Sequence, residues 1–291
     1  MQNNTKGYIY GCLSAVSYGM NPLCALKLYE DGFTPASVLV YRFLFATILL
    51  GLFMVFQHRT FSVKRSEMPV LALLGGLFAL SSMTYFIAFK YMSAGVAATL
   101  VFSYPIMVAL IMALFFHEKQ GLLTWCAIGL SVIGVSLLSN GDNGSPIATV
   151  GMVCILISAL SYALYIVVIN RSHIKMSSLK LTFYAMLVCL ACIIGFIPLS
   201  GAGVIQPLLS ASEWFYAVFL GLVPTVISLV FMAMAVKLIG STSTAVMGAL
   251  EPVTAVVIGM TIFGELMTLR LAIGIVLILT AVTVIVARRK R

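Results

Sequence analysis

Charge is what this chain has least of. Only 9% of its 291 residues are Asp, Glu, Lys or Arg, against 62% that are apolar. Water-soluble domains carry about a quarter charged residues, so an ordinary soluble fold is excluded and lipid becomes the expected solvent. Acidic residues are scarcest, eight against seventeen basic ones. The resulting net charge of +9 does not mark a nucleic-acid partner, because the basic residues are scattered through loops and not gathered on a soluble face. The three histidines, His58, His117 and His173, fall at helix ends or in loops with no ligand spacing, which argues against an enzyme. The six cysteines lie in apolar segments and read as small hydrophobes; the lone Cys189/Cys192 CxxC has no partner pair and no nearby His, so no metal or cofactor is expected. A long polar segment is also missing. The turn-rich stretch from Asn140 to Pro146 is a linker, and there is no soluble domain.

What the chain has in abundance is uncharged length. Reading from charge to charge gives apolar runs at about 7–26, 33–57, 68–89, 92–116, 121–140, 147–169, 181–199, 214–236, 242–264 and 271–287. Most reach the roughly 20 residues that span a hydrocarbon core of about 30 Å. Backbone groups in lipid must bond within their own segment, so runs this long and continuous are helices and not barrel strands. The expected class is all-α and polytopic, with ten transmembrane helices. The first run, although preceded by one Lys, is expected to be retained and not cleaved as a signal peptide, because no small-residue cleavage site follows it.

The second half of the chain repeats the first. Ser14-Ala15-x-Ser17-Tyr18 recurs as Ser158-Ala159-x-Ser161-Tyr162, and a cation follows each Tyr after nine residues, Lys27 or Arg171. Lys90, Tyr104-Pro105 and Glu118 recur as Lys237, Glu251-Pro252 and Glu265 at a constant offset of 147. The two repeats are taken as residues 1–141 and 147–291. Five helices per repeat is an odd number, so the second copy enters the membrane from the opposite side and the repeats are inverted. Charge agrees: thirteen basic residues (Lys6, Arg59, Lys64, Arg65, Lys119, Arg171, Lys175, Lys180, Lys237 and Arg288 to Arg291) fall in loops on the amino-terminal side, against Lys27, Lys90 and Arg270 opposite. The positive-inside rule then puts both termini in the cytoplasm. Inverted repeats of this kind place a substrate site near the midplane and exchange access by rocking one half against the other, the pattern of a secondary transporter.

Two ionisable side chains sit within spans, Arg42 and Glu251. Each costs about 2.5 to 3.5 kcal/mol on insertion scales, so such residues face a cavity or a partner. Helical rise puts Arg42 roughly 10 Å from one edge and Glu251 roughly 14 Å from the other, about 6 Å apart in height. Arg42 reads as the anchor for a substrate carboxylate and Glu251 as a proton-responsive group; the alternatives are a structural ion pair between them, or an Arg42 that snorkels outward. Ser14, Ser17, Tyr18 and Asn21 share a helix face, as do Ser158, Ser161, Tyr162 and Tyr165, and Ser81, Thr84 and Tyr85 form a third stripe. Close packing accounts for most of the serines. Tyr18, Asn21, Tyr85, Tyr104, Tyr162 and Tyr165 are bulkier and are assigned, with Arg42 and Glu251, to the substrate site. Pro105 and Pro252 interrupt helices at equivalent points, as gates or as fixed bends. Gly7-x-x-x-Gly11 is a weak helix-contact signal.

With its five-helix repeat, the Ser-Ala-x-Ser-Tyr openings, Tyr41-Arg42-Phe43, Glu251-Pro252 and Phe263-Gly264-Glu265, the chain resembles the EamA family of the drug/metabolite transporter superfamily over essentially its whole length. The resemblance implies ten helices in two inverted repeats, cytoplasmic termini, and export of amino acids or other small metabolites across a bacterial inner membrane. It also implies that Arg42 and Glu251-Pro252 occupy family motif positions and that Glu118 and Glu265 close the fourth and ninth helices. Tyr104 stands at the position equivalent to Glu251, and His117 at that of Gly264. An amino acid needs both charges that Arg42 and Glu251 offer. Efflux of small cationic drugs and a passive metabolite channel remain alternatives. The expected partners are a small-molecule substrate and the lipid bilayer, with homodimerisation left open.

Overall fold

A computed structural model describes residues 2–117, 121–138, 148–172, 176–198 and 204–288. The expectations placed on Glu118, Lys119, the 140–146 linker, His173, Lys175 and the tail from 289 concern residues outside that set. Every regular element among the described residues is helical: α1 (Gln2–Gly19), α2 (Asn21–Glu30), α3 (Pro35–Phe56), α4 (Met68–Ala88), α5 (Ala94–Val101), α6 (Tyr104–Phe115), α7 (Leu122–Leu138), α8 (Thr149–Arg171), α9 (Ser178–Phe196), α10 (Ala211–Gly221), α11 (Ser228–Met247), α12 (Leu250–Ile262) and α13 (Leu269–Arg288). A short 3-10 turn precedes α4, and a π-helical turn, Leu222–Ile227, joins α10 to α11. Among the described residues six stretches are individually long and apolar enough to cross a membrane, and shorter apolar helices at Trp125–Leu138, Leu250–Ile262 and Leu269–Val284 accompany them. This is a polytopic membrane protein.

Several expected spans are broken, and proline explains where. A proline has no N–H, so the carbonyl four residues earlier loses its helical partner. Pro22 orphans the Tyr18 carbonyl in this way; the first run divides at Met20, and the Asn21 side-chain amide donates to that carbonyl at 2.7 Å. Pro224 orphans the Leu220 carbonyl, the helix widens into the π turn, and the Thr225 hydroxyl donates to it at 2.9 Å. At Pro105 and Pro252 the chain does not merely bend: helical bonding is interrupted between Val101 and Tyr104 and between Met247 and Leu250. The expected boundary near residue 240 also differs, since α11 runs through it. A Cβ on Gly11 would nonetheless lie 3.1 Å from Met247 and 3.8 Å from Ala235. Twelve residues of straight helix cover about 18 Å, so α11 is bent between those positions.

The halves interleave. α1 packs on α11, α8 on α4, α3 on α9 and α7 on α13. Ser14 and Ser228 each donate to the other's carbonyl, at 2.8 and 3.0 Å, and Ser158 donates to the Ser81 carbonyl at 2.8 Å. These serines are packing residues, and one pair maps onto the other by the offsets of the sequence echoes: Ser158 stands 144 residues after Ser14, and Ser228 stands 147 after Ser81. Gly7 lies against Ile239 and Leu238, so the Gly-x-x-x-Gly face does meet a helix, α11.

Contacts between distant segments define two ends of the bundle. At one, Gly151 meets Tyr91, Thr34 meets Gln206, and Ala94 meets Glu265. At the other, Lys180 donates to the Ser62 carbonyl, Tyr184 to the Phe61 carbonyl, and Arg171 lies 4.2 Å from the centre of the Phe116 ring.

Candidate functional site

Arg42 sits in the interior of α3, 1% exposed, with no route outward. Its Nε donates to Thr225 Oγ1 at 3.1 Å. The guanidinium carbon lies 5.3 to 5.9 Å from the ring centres of Phe43, Phe86 and Tyr18, so aromatic faces supply much of its stabilisation. Nη2 is buried with no hydrogen-bond partner. The arrangement corrects both structural alternatives: Arg42 does not snorkel, and it does not form an ion pair with Glu251. An ion pair forms instead between Lys27 and Glu30, at 2.7 Å.

Glu251 occupies the first turn of α12, beside the break at Pro252, and is half-buried. The α1–α2 break delivers Gly19 against it: a Cβ there would lie 2.6 Å from the Glu251 carbonyl, so only glycine admits this approach. Among the described residues no hydrogen bond reaches the Glu251 carboxylate. Arg42, Tyr18, Tyr85, Tyr104 and Tyr162 all lie within electrostatic range of it, without touching it through a hydrogen bond or ion pair. A carboxylate and a guanidinium are therefore neighbours that do not neutralise each other by contact.

Asn21 is 1% exposed, and because its amide nitrogen is committed to the Tyr18 carbonyl, its Oδ1 is left buried without a donor. Tyr104 and Tyr162 meet edge to face at 4.6 Å, Tyr162 stacks on Tyr165 at 5.7 Å, and Phe78 touches both Tyr162 and Tyr165. Tyr85 packs on Phe89 at 4.6 Å. Of the eight residues expected at the site, Arg42, Glu251, Tyr18, Asn21, Tyr85, Tyr104 and Tyr162 converge; Tyr165 stands behind Tyr162, in range of Tyr18 and Cys189. Four members were missed. Phe43, Phe78 and Phe86 give no signal in a phenylalanine-rich span, but Pro224 inside an apolar run is a legible warning that Thr225 stands on irregular backbone.

A cavity of about 530 Å³ opens elsewhere, between the ends of α2 and α12, with Tyr29, Glu30, Phe33, Phe89, Lys90 and Phe263 in its wall. It stands at the bundle end that carries Gln206 and Glu265, and not at the Arg42 cluster.

Comparison with known proteins agrees with the membrane architecture. The chain is 30% identical to the uncharacterized transporter YdfC of Bacillus subtilis over 246 residues, covering 84% of this chain and 79% of that protein. It is 25% identical to the uncharacterized inner membrane transporter YicL of Salmonella typhimurium, over 98% and 96% of the two chains. A solved crystal structure shares its fold at a TM-score of 0.66, with 18% identity and 99% coverage of both chains. The model of the EamA-like transporter family matches residues 5–140 and again 149–287, and this membrane transporter belongs to that family.

Proposed function

We propose that the protein is a secondary carrier that exports amino acids or closely related zwitterionic metabolites by alternating access, from a bacterial inner membrane. In this reading residues 1–141 and 147–291 form inverted five-helix repeats, ten crossings in all, with both termini cytoplasmic. The basic residues Arg59, Lys64, Arg65, Arg171 and Lys180 share one end of the bundle and so face the cytoplasm.

One observation carries the substrate class. Arg42 Nη2 and Asn21 Oδ1 are buried without partners, and the nearby Glu251 carboxylate accepts no hydrogen bond from the described residues. Buried polar groups of this kind are costly unless something satisfies them. A solute carrying a carboxylate and an ammonium fits all three: its carboxylate takes the Arg42 donor, and its ammonium takes Asn21 Oδ1 and Glu251. The aromatic wall of Tyr104 and Tyr162 receives the side chain.

Counterflow in proteoliposomes tests this. Labelled amino acid is expected to exchange with saturation and trans-stimulation, and the corresponding amines or amino-acid amides are expected to compete poorly. Exchange of the amines alone would replace the substrate class, and non-saturating flux would replace the carrier with a pore.

A further inference from the structure

Two side chains of the second half reach into the first half at the same end of the bundle. Gln206 is wholly engaged there. Its Oε1 accepts from the Thr34 N–H at 2.6 Å, its Nε2 donates to the Gly32 carbonyl at 2.6 Å, its N–H donates to Ser37 Oγ at 3.2 Å, and its carbonyl accepts from the Tyr41 hydroxyl at 2.6 Å. The four partners lie just before α3 or within its first two turns. Glu265 does the same for α5. Its carboxylate accepts from the Ala94 N–H at 2.6 Å and the Gly95 N–H at 3.3 Å, filling two of the donors that the start of a helix leaves open and placing negative charge at the positive end of its dipole.

Local backbone aims Glu265. At the end of α12, Phe263 and Glu265 both donate to the Gly259 carbonyl, at 3.2 and 2.9 Å, and Gly264 takes φ +65. This glycine-terminated turn throws the Glu265 side chain back across the helix, over Gly259, where a Cβ would stand 2.0 Å from Oε2. The cavity walled by Gly32, Phe33, Lys90 and Phe263 lies between the two attachments. Below it on α2 comes the fully buried Cys24, one helical turn from Asn21.

We propose that Gln206 and Glu265 are the paired clasps of an extracytoplasmic gate: they hold the halves together over the cavity, and both must release for solute to leave the Arg42 cluster. The inference rests on the carrier reading and on its orientation. It assigns gating to residues that touch no substrate, and makes them positioning residues. The bonds from Lys180 and Tyr184 to the 61–62 carbonyls also join the halves, but at the opposite end and in solvent-exposed positions.

Native Cys24 is the reporter. Intact cells or proteoliposomes are treated with a membrane-impermeant thiosulfonate, and modification of the Cys24 peptide is followed by mass spectrometry with no solute added. Gly259→Ala keeps the Glu265 side chain but pushes its carboxylate off α5, and because the colliding atom is the tip of a flexible side chain the fold is preserved. Gly259→Ala, Glu265→Ala and Gln206→Ala are each expected to speed modification about tenfold, the scale of one lost charge-assisted hydrogen bond or of two lost neutral ones. Gly259→Ala with Gln206→Ala is expected to exceed either alone. Glu265→Gln, which keeps one acceptor oxygen, should fall between parent and Glu265→Ala. Tyr184→Phe, at the other end, should match the parent. Unchanged Cys24 reactivity in Gly259→Ala and Gln206→Ala overturns the proposal, and so does an equal rise in Tyr184→Phe, which would mean general loosening. Because the readout needs no solute, failure of amino-acid counterflow and failure of the clasps are distinguishable outcomes.

Discussion

Arg42 and Thr225, 183 residues apart in sequence, are joined through Nε and Oγ1 at 3.1 Å, and the same hydroxyl donates to the Leu220 carbonyl that Pro224 leaves unbonded. One oxygen thus repairs a proline break and fixes the direction of a buried cation. Thr225→Val keeps the shape and removes both bonds, which is expected to cost about 1–3 kcal/mol of stability. Thr225→Ser should retain most of it. Thermal unfolding of the purified variants in detergent makes the comparison, and a Thr225→Val protein as stable as the parent would remove Thr225 from the site.

Arg42 and Glu251 do not pair directly, so neither exists to neutralise the other. Arg42→Gln and Glu251→Gln are each expected to lower amino-acid exchange at least about tenfold, since each removes an interaction with one end of the solute. The double variant should be no better than the worse single one. A double variant that regained parental exchange would mean that the charges mattered only to each other, which is the behaviour of a structural pair.

Asn21 offers a cleaner test of how proline breaks are repaired. Its amide serves the Tyr18 carbonyl only because Pro22 cannot. Asn21→Ala alone is expected to destabilise by about 1–3 kcal/mol. With Pro22→Ala also present, the backbone N–H of residue 22 is restored and the same substitution should cost clearly less. Equal costs in both backgrounds, measured as a thermal double-mutant cycle, would show that Asn21 does not act as a backbone substitute.

The helical, many-times-crossing character of the chain was legible because lipid enforces a simple rule, that uncharged length means helix; Ser14 and Ser158, 144 apart in the chain, and Ser81 and Ser228, 147 apart, meet in space as the Ser14–Ser228 and Ser158–Ser81 contacts. Buried charge and bulky polar groups on shared helix faces also pointed to most of the central cluster. Sequence could warn of irregular backbone at a proline such as Pro224, but it could not supply which side chain repairs the break. Pro22 and Pro224 lie in runs that read as unbroken, and only the folded chain reveals that Asn21 and Thr225 repair the damage. Gln206 gave no signal at all. It sits in a loop, and its importance comes from four partners in the other half that no periodicity links to it.

Sidedness has a direct measurement. Glu30 lies at the bundle end that holds Gln206 and Glu265, whereas Lys180 lies at the end where it meets the 61–62 loop. Both side chains are in exposed contacts, so cysteines placed there react without first opening the protein. If the repeats are inverted, Glu30→Cys and Lys180→Cys label from opposite compartments. If the basic end is cytoplasmic, position 180 is the one protected from an impermeant reagent added outside. Labelling discriminates more sharply than a hydropathy count because an even error, two spans gained or lost between these positions, would leave the outcome the same, while a single miscounted crossing reverses it. Labelling of both positions from one side would therefore mean an odd number of misread crossings between α2 and α9, and the inverted arrangement, with the clasps and the cytoplasmic termini that depend on it, would have to be abandoned.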